Sequence, residues 1–125
     1  MNRFVFLLLS HWVCCWSGFT FGQEITVVDR QHILAEVIGS QVQLIDVRTH
    51  TEYLSGHIDN AVNYNVMDLE KFKKQIQGLD KEIPVYLYCK SGVRSKRASK
   101  LMKEEGFLRI YDYSGGYEDW ERLKN

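Results

Sequence analysis

The chain has 125 residues, 16 basic against 16 acidic, and 45% of its residues are apolar. That length supports one domain with a modest core, and the balanced charge leaves no footprint for a nucleic-acid partner. The first 22 residues stand apart from the rest. Arg3 is the one charged side chain before Glu24, Phe4 to Leu9 is an apolar run, and Thr20-Phe21-Gly22 supplies small residues at the usual cleavage positions. This is the pattern of a secretory signal peptide over residues 1–22, cut after Gly22, with residues 23–125 as the domain, in the periplasm or secreted. Ser10 and His11 interrupt the apolar run, which leaves it short for an uncleaved membrane anchor, so no stable membrane association is expected after cleavage. Trp12 and Val13 ahead of Cys14 and Cys15 fit a lipoprotein cleavage box poorly. Cleavage removes both of those cysteines. Cys89 is then a lone thiol, which excludes an internal disulfide, dithiol exchange within one chain and a cysteine zinc cluster.

Ile25 to Val28 reads as a first strand, and Asp29 as the cap of a helix whose apolar face is Ile33, Leu34, Val37 and Ile38, stopped by Gly39. Val42 to Val47 is nearly continuous in apolar residues, as in a strand covered on both faces. Thr49 to Glu52 is a capping box for a short helix ending at Gly56. No acid, cysteine or second histidine stands at ligand spacing from His57, so no metal site is expected. Ala61 to Asn65 is a third strand. Asp68 caps the next helix, with Leu69, Phe72 and Ile76 inward, Glu70 and Lys74 paired outside, and Gly78 as its stop. After Pro84, the alternation of Val85, Tyr86 and Tyr88 predicts a buried strand. Arg94 to Glu105, with Ala98, Leu101 and Met102 at helical spacing, predicts a helix that stops at Gly106. Phe107 to Asp112 gives the last strand. Gly115-Gly116 opens a closing helix with Tyr117, Trp120 and Leu123 on one face, read as core and not as a cofactor box. Strands alternate with helices throughout, which predicts an α/β fold: a mainly parallel central sheet of about five strands with helices on both faces. Ligands in such sheets bind beyond the carboxyl ends of the strands.

Cys89 sits at one such end, facing the N-terminus of the following helix. Free N–H groups and the positive end of the helix dipole converge there, which favours an anion. A thiolate is an anion, so the placement lowers the thiol's pKa and makes it nucleophilic near neutral pH. Gly92 lets the backbone curl, and Lys90 and Arg94 would attract an anionic substrate.

Cys89-Lys90-Ser91-Gly92-Val93-Arg94-Ser95 resembles the active-site loop of rhodanese-like sulfurtransferases, a Cys-x-x-Gly-x-Arg pattern. Leu44-Ile45-Asp46-Val47-Arg48 with Glu52 to Ile58, and Gly115-Gly116-Tyr117-Glu118-Asp119-Trp120, match the same family in the same order, so the resemblance covers Ile25 to Leu123. It departs at Asn60, where a glycine is common, and after Asn63, where no proline follows. The resemblance implies a rhodanese-like fold and a Cys89 persulfide cradled by the N–H groups of residues 90–95. It also implies that Arg48 pairs with Glu52, that Asp46 braces the site and that His57 is structural. The implied reaction moves sulfane sulfur from a small anionic donor such as thiosulfate to cyanide or a thiol, with no cofactor. Two rivals stand beside it. One is a sulfur carrier or polysulfide-binding module that hands the Cys89 persulfide to a partner protein without turning over. The other is a cysteine phosphatase or arsenate reductase, whose loop holds five residues between Cys and Arg. Here there are four, a cradle better sized for one sulfur atom than for a phosphate.

Overall fold

The computed structural model describes residues 22–124. Except for Gly22, the expected leader with Cys14 and Cys15 lies outside the described residues. The elements run β1 (Glu24–Val28), α1 (Arg30–His32) continuing into a wider helical turn (Ile33–Val37), β2 (Gln43–Asp46), α2 (His50–Ser55) and β3 (Val62–Asn63). Then come α3 (Leu69–Ile76), β4 (Val85–Tyr88), α4 (Val93–Glu104), β5 (Arg109–Tyr113) and α5 (Gly116–Arg122). All five strands are parallel, in the order β1-β5-β4-β2-β3.

The period of two in a strand divides β4 between two cores. Val85, Leu87 and Cys89 face a core completed by Phe72 and Ile76 of α3 and by Ala98 and Met102 of α4. Tyr86 and Tyr88 face the other, with Ile33, Val37 and Trp120. Every residue of β4 is buried, so this strand carries both layers. Capping follows the sequence closely. The Asp29 side chain accepts from the His32 N–H at 2.9 Å, and Thr49 with Glu52 forms the full reciprocal box on α2. Asp68 accepts from the Lys71 N–H at the start of α3.

Four expectations change. Leu34 is 45% exposed, because the chain widens after His32 and the Ile38 N–H donates to the Ile33 carbonyl five residues back. The wider turn keeps Ile33 and Val37 inside and rotates Leu34 outward. Leu123 is likewise exposed, while Tyr117 is half-buried and Trp120 buried. The third strand is two residues long, Val62–Asn63, and pairs with β2 alone. Glu70 and Lys74 do not pair. Ion pairs among the described residues join Arg48 to Asp46, Arg94 to Glu52, Arg122 to Asp119 and Lys124 to Glu121. Two exposed side chains gain little from holding one geometry.

Candidate active site

The chain leaves β2 for an outer strand on one side of the sheet and leaves β4 for β5 on the other. The α2 and α4 connections therefore diverge, and a crevice opens between the carboxyl ends of β2 and β4. Cys89 follows β4 at that crevice and is 1% exposed. The backbone turns at Gly92, where φ is +101°, a conformation open to glycine. A Cβ there would also meet the Ser114 carbonyl oxygen at 2.6 Å. The turn brings the Gly92 N–H to 3.1 Å from Cys89 Sγ. No side chain caps α4, so its first N–H groups are left for the sulfur. The thiol lies 3.6 Å from Ser95 Oγ, which donates in turn to the Gly92 carbonyl at 3.3 Å.

Burial pushes the Cys89 thiol up, yet the Ser95 N–H and hydroxyl and the N–H groups of Gly92 and Ser91 outweigh it and hold the pKa below the ordinary range. The loop is a nest for one anionic atom. Of its side chains, Lys90, Ser91 and Val93 are exposed, Arg94 is half-buried and Ser95 is buried.

The cations divide differently from expectation. Arg94 does not stand free for a substrate. Its Nη1 and Nη2 donate to Glu52 Oε2 at 2.7 Å and Oε1 at 2.9 Å, a two-pronged pair from α4 to α2. The Arg48–Glu52 pair implied by the resemblance is thus replaced. Arg48 folds back on Asp46 two residues earlier, its Nη2 donating to Oδ2 at 2.6 Å and its Nε to Oδ1 at 2.9 Å, and reaches the Gly56 carbonyl at 2.7 Å. The reason is position. Arg48 lies beside a fully buried carboxylate that needs a counter-charge, whereas Glu52 stands half-exposed in the first turn of α2, facing α4. Asp46 also accepts the Tyr88 hydroxyl at 2.9 Å, and the Tyr88 oxygen accepts the Ile58 N–H at 3.0 Å. That chain ties β2 and the α2–β3 loop to the residue immediately before Cys89.

His57 points away from this chemistry. Its Nδ1 bonds the Tyr53 carbonyl at 3.0 Å and its ring stacks on Tyr53 with centroids 3.8 Å apart. Lys90 makes no ion pair among the described residues. It lines a groove of about 390 Å³ with Arg48, Glu52, Tyr117, Glu118 and Glu121. A larger pocket, about 560 Å³, opens at the ends of β1 and β5 beside Asp29, His32 and Asp119, but the thiol does not line it. Sequence reasoning missed two contributors. The first N–H groups of α5 hold the loop from behind, Tyr117 N–H donating to the Cys89 carbonyl at 2.8 Å and Glu118 N–H to the Lys90 carbonyl at 3.1 Å. The other is Asp112, an acid set between Tyr111 and Tyr113 in β5, which is 4% exposed.

Comparison with known proteins bears on the whole arrangement. Residues 30–123 match the family described as Rhodanese-like domain. Over 80 residues, 64% of this chain and 61% of the other, the sequence is 42% identical to the uncharacterized protein YqhL of Bacillus subtilis, so the match spans less than two thirds of that protein. It is 32% identical over 80 residues to the thiosulfate sulfurtransferase GlpE of Coxiella burnetii, covering 64% of this chain and 72% of that one. The fold superposes on the human single-domain sulfurtransferase TSTD1 with a TM-score of 0.69 at 23% identity, covering 79% of this chain and 97% of that one.

Proposed function

The chain belongs to the rhodanese-like domain family, and from that premise we propose that it is a sulfurtransferase working through a persulfide on Cys89. The observation that carries the reading is the sulfur's own surroundings: a thiol with lowered pKa, 3.1 Å from the Gly92 N–H, at the uncapped N-terminus of a twelve-residue helix. The Cys89 thiolate attacks the outer sulfur of a donor such as thiosulfate. The sulfur–sulfur bond of the donor breaks, sulfite leaves with the electron pair, and the negative charge passes to the outer sulfur of the new persulfide. The N–H groups of Ser91, Gly92 and Ser95 already converge on the Cys89 sulfur, so holding the persulfide's charge at this loop needs little reorganisation. Cyanide or an acceptor thiolate then attacks the outer sulfur, and Cys89 leaves as the thiolate it began as. Lys90, exposed and in no ion pair among the described residues, offers its charge to an anionic donor at the loop itself, since the groove beside it also carries Glu52, Glu118 and Glu121. Arg94 instead sets the loop's position through Glu52.

Incubation of the protein with thiosulfate is expected to add one sulfur atom per chain at Cys89, read by peptide mass, and cyanide or excess thiol to remove it. Cys89→Ser should abolish the adduct and leave the fold intact, because the cradle is backbone. A Cys89→Ser chain that still transfers sulfur would sink the mechanism. A wild type that loads but does not turn over with small acceptors would be a sulfur carrier serving a partner protein.

A further inference from the structure

The Ser95 hydroxyl has one proton and three claims on it. It lies 3.6 Å from Cys89 Sγ and donates to the Gly92 carbonyl at 3.3 Å. The third claimant is Asp112. This residue stands on β5 in register with Leu87 of β4. The alternation of β5 puts it on the α4 side with Ile110, opposite Tyr111 and Tyr113. It is 4% exposed, and its Oδ1 is buried without a hydrogen-bond partner. An unpaired buried oxygen of this kind is costly and calls for an explanation. Helix α4 covers the carboxyl with Ser95 and Ser99, both buried. The Ser99 hydroxyl is already given to the Ser95 carbonyl at 2.8 Å. Lys96 and Lys100 of the same helix line a pocket of about 280 Å³ that reaches Asp112. From the neighbouring strands come Ile25, Val27 and Leu87, none of which titrates. With the Ser99 hydroxyl committed, Ser95, 3.6 Å from the thiol, is the buried hydroxyl of α4 left to turn toward the acid.

We infer that Asp112 is a positioning residue for Cys89, acting through Ser95. When protonated, Asp112 donates to Ser95 Oγ, and Ser95 turns its own proton onto the Cys89 thiolate. When ionised, Asp112 takes the Ser95 proton for itself and leaves the thiolate one donor short. Nothing is oxidised or reduced: one proton passes between the carboxyl and water through the pocket beside Lys96 and Lys100. Burial favours the protonated form, against the Ser95 hydroxyl and the charge of Lys96. Cys89 and Asp112 then titrate as a pair, with the Ser95 hydroxyl as their link.

The inference rests on Cys89 acting as the thiolate proposed above, but it is read from ionisation of the thiol and not from sulfur transfer. The experiment follows the rate of Cys89 alkylation by iodoacetamide against pH in the full chain, by peptide mass. The wild type is expected to show two steps. Asp112→Asn, nearly isosteric and unable to ionise, keeps a donor toward Ser95 Oγ. It should show one step at lower pH, with about tenfold more thiolate below the wild-type midpoint, the size of one hydrogen bond to a charged group. In a Ser95→Ala background most of that difference should vanish. Superimposable wild-type and Asp112→Asn profiles would overturn the inference, and so would a difference that survives Ser95→Ala undiminished, since that would be plain charge repulsion. NMR titration of the Asp112 carboxyl in the wild type reads the same coupling without any substitution. Alkylating Cys89 removes the anion and should lower the Asp112 midpoint, by reciprocity, and an unmoved midpoint would overturn the link. A chain that shows this coupling yet takes up no sulfane sulfur would refute the proposed function and leave Asp112 in its role.

Discussion

Glu52 illustrates how one side chain serves two elements. It caps α2 and also holds Arg94 across the crevice. Arg94 does most to lower it, against burial, and the Thr49 N–H and hydroxyl add to the effect, taking its pKa from the ordinary 4.5 to about 2. A carboxyl with a lowered folded-state pKa binds its proton less readily in the native chain than in the unfolded one. Its contribution is whole above the unfolded value of 4.5 and drains as the pH falls toward about 2. The two side chains are 31% and 23% exposed, Glu52 and Arg94 respectively, so solvent screening holds the contribution to about 1 kcal/mol. Glu52→Gln is expected to lower the melting temperature near neutral pH by roughly 4–8 °C. The gap to wild type should narrow on acidification between pH 4.5 and about 2. A gap constant across that range in thermal melts would show that the pair does not stabilise the fold. The capping half of Glu52 was legible in the sequence because its partners lie three residues away. The other half was not. Arg94 lies 42 residues on, and spacing alone cannot choose between Arg48 and Arg94 as the partner of one glutamate. The fully buried Asp46 makes that choice by claiming Arg48.

The elements themselves follow from local signals. The alternation of Val85 to Tyr88, the capping box at Thr49 and the glycine stops at Gly56 and Gly106 all have mechanisms confined to a few residues. What those signals do not contain is the way elements lean on one another. Leu34 turns outward because of a wider helical turn that no residue pattern announces, and Asp112 becomes a buried acid only when α4 is laid over β5. The support of the loop by α5 belongs to the same class. Gly116 has φ +68°, and a Cβ there would come within 2.5 Å of the Lys90 carbonyl oxygen and 2.6 Å of that of Cys89. Gly116→Ala should therefore cost about 1–2 kcal/mol from the left-handed backbone alone. It should also push those carbonyls off the Tyr117 and Glu118 N–H groups. The expected result is a folded chain whose Cys89 alkylates more slowly, although every side chain of the cradle remains. Gly39→Ala is the control, since Gly39 has φ +78° with open space around it and pays the backbone cost far from the loop. Urea unfolding and alkylation rates separate the two effects. Equal thiol reactivity in the two variants would remove α5 from the site.

At the scale of the molecule, the alternation of strands and helices was enough to predict a parallel sheet, and Cys89 at a strand end was enough to locate the crevice. The strand order was not legible, because it depends on which strands find each other across long loops. That order makes β1 an edge strand held by β5 alone, from Glu24 opposite Arg109 to Val28 opposite Tyr113. The hold begins just before the strand. The Glu24 N–H donates to the Leu108 carbonyl at 3.1 Å, and Gln23 Nε2 donates to the carbonyls of Lys103 at 2.8 Å and Phe107 at 3.1 Å. The chain thus grips the domain from Gln23 onward, one residue past the cleavage expected from Thr20-Phe21-Gly22. We propose that the chain is exported and cut at that bond, because a cut there takes nothing from β1. Residues 23–125 produced alone should unfold at the same urea concentration as the full chain. Protein recovered from the cell envelope or the medium should have the mass of a chain beginning at Gln23. A full-length product confined to the cytosol would overturn export. A shortened chain that unfolds earlier would show that residues before Gln23 stabilise the domain, and a protease that removed them would then be weakening the strand that anchors β5 at its outer edge.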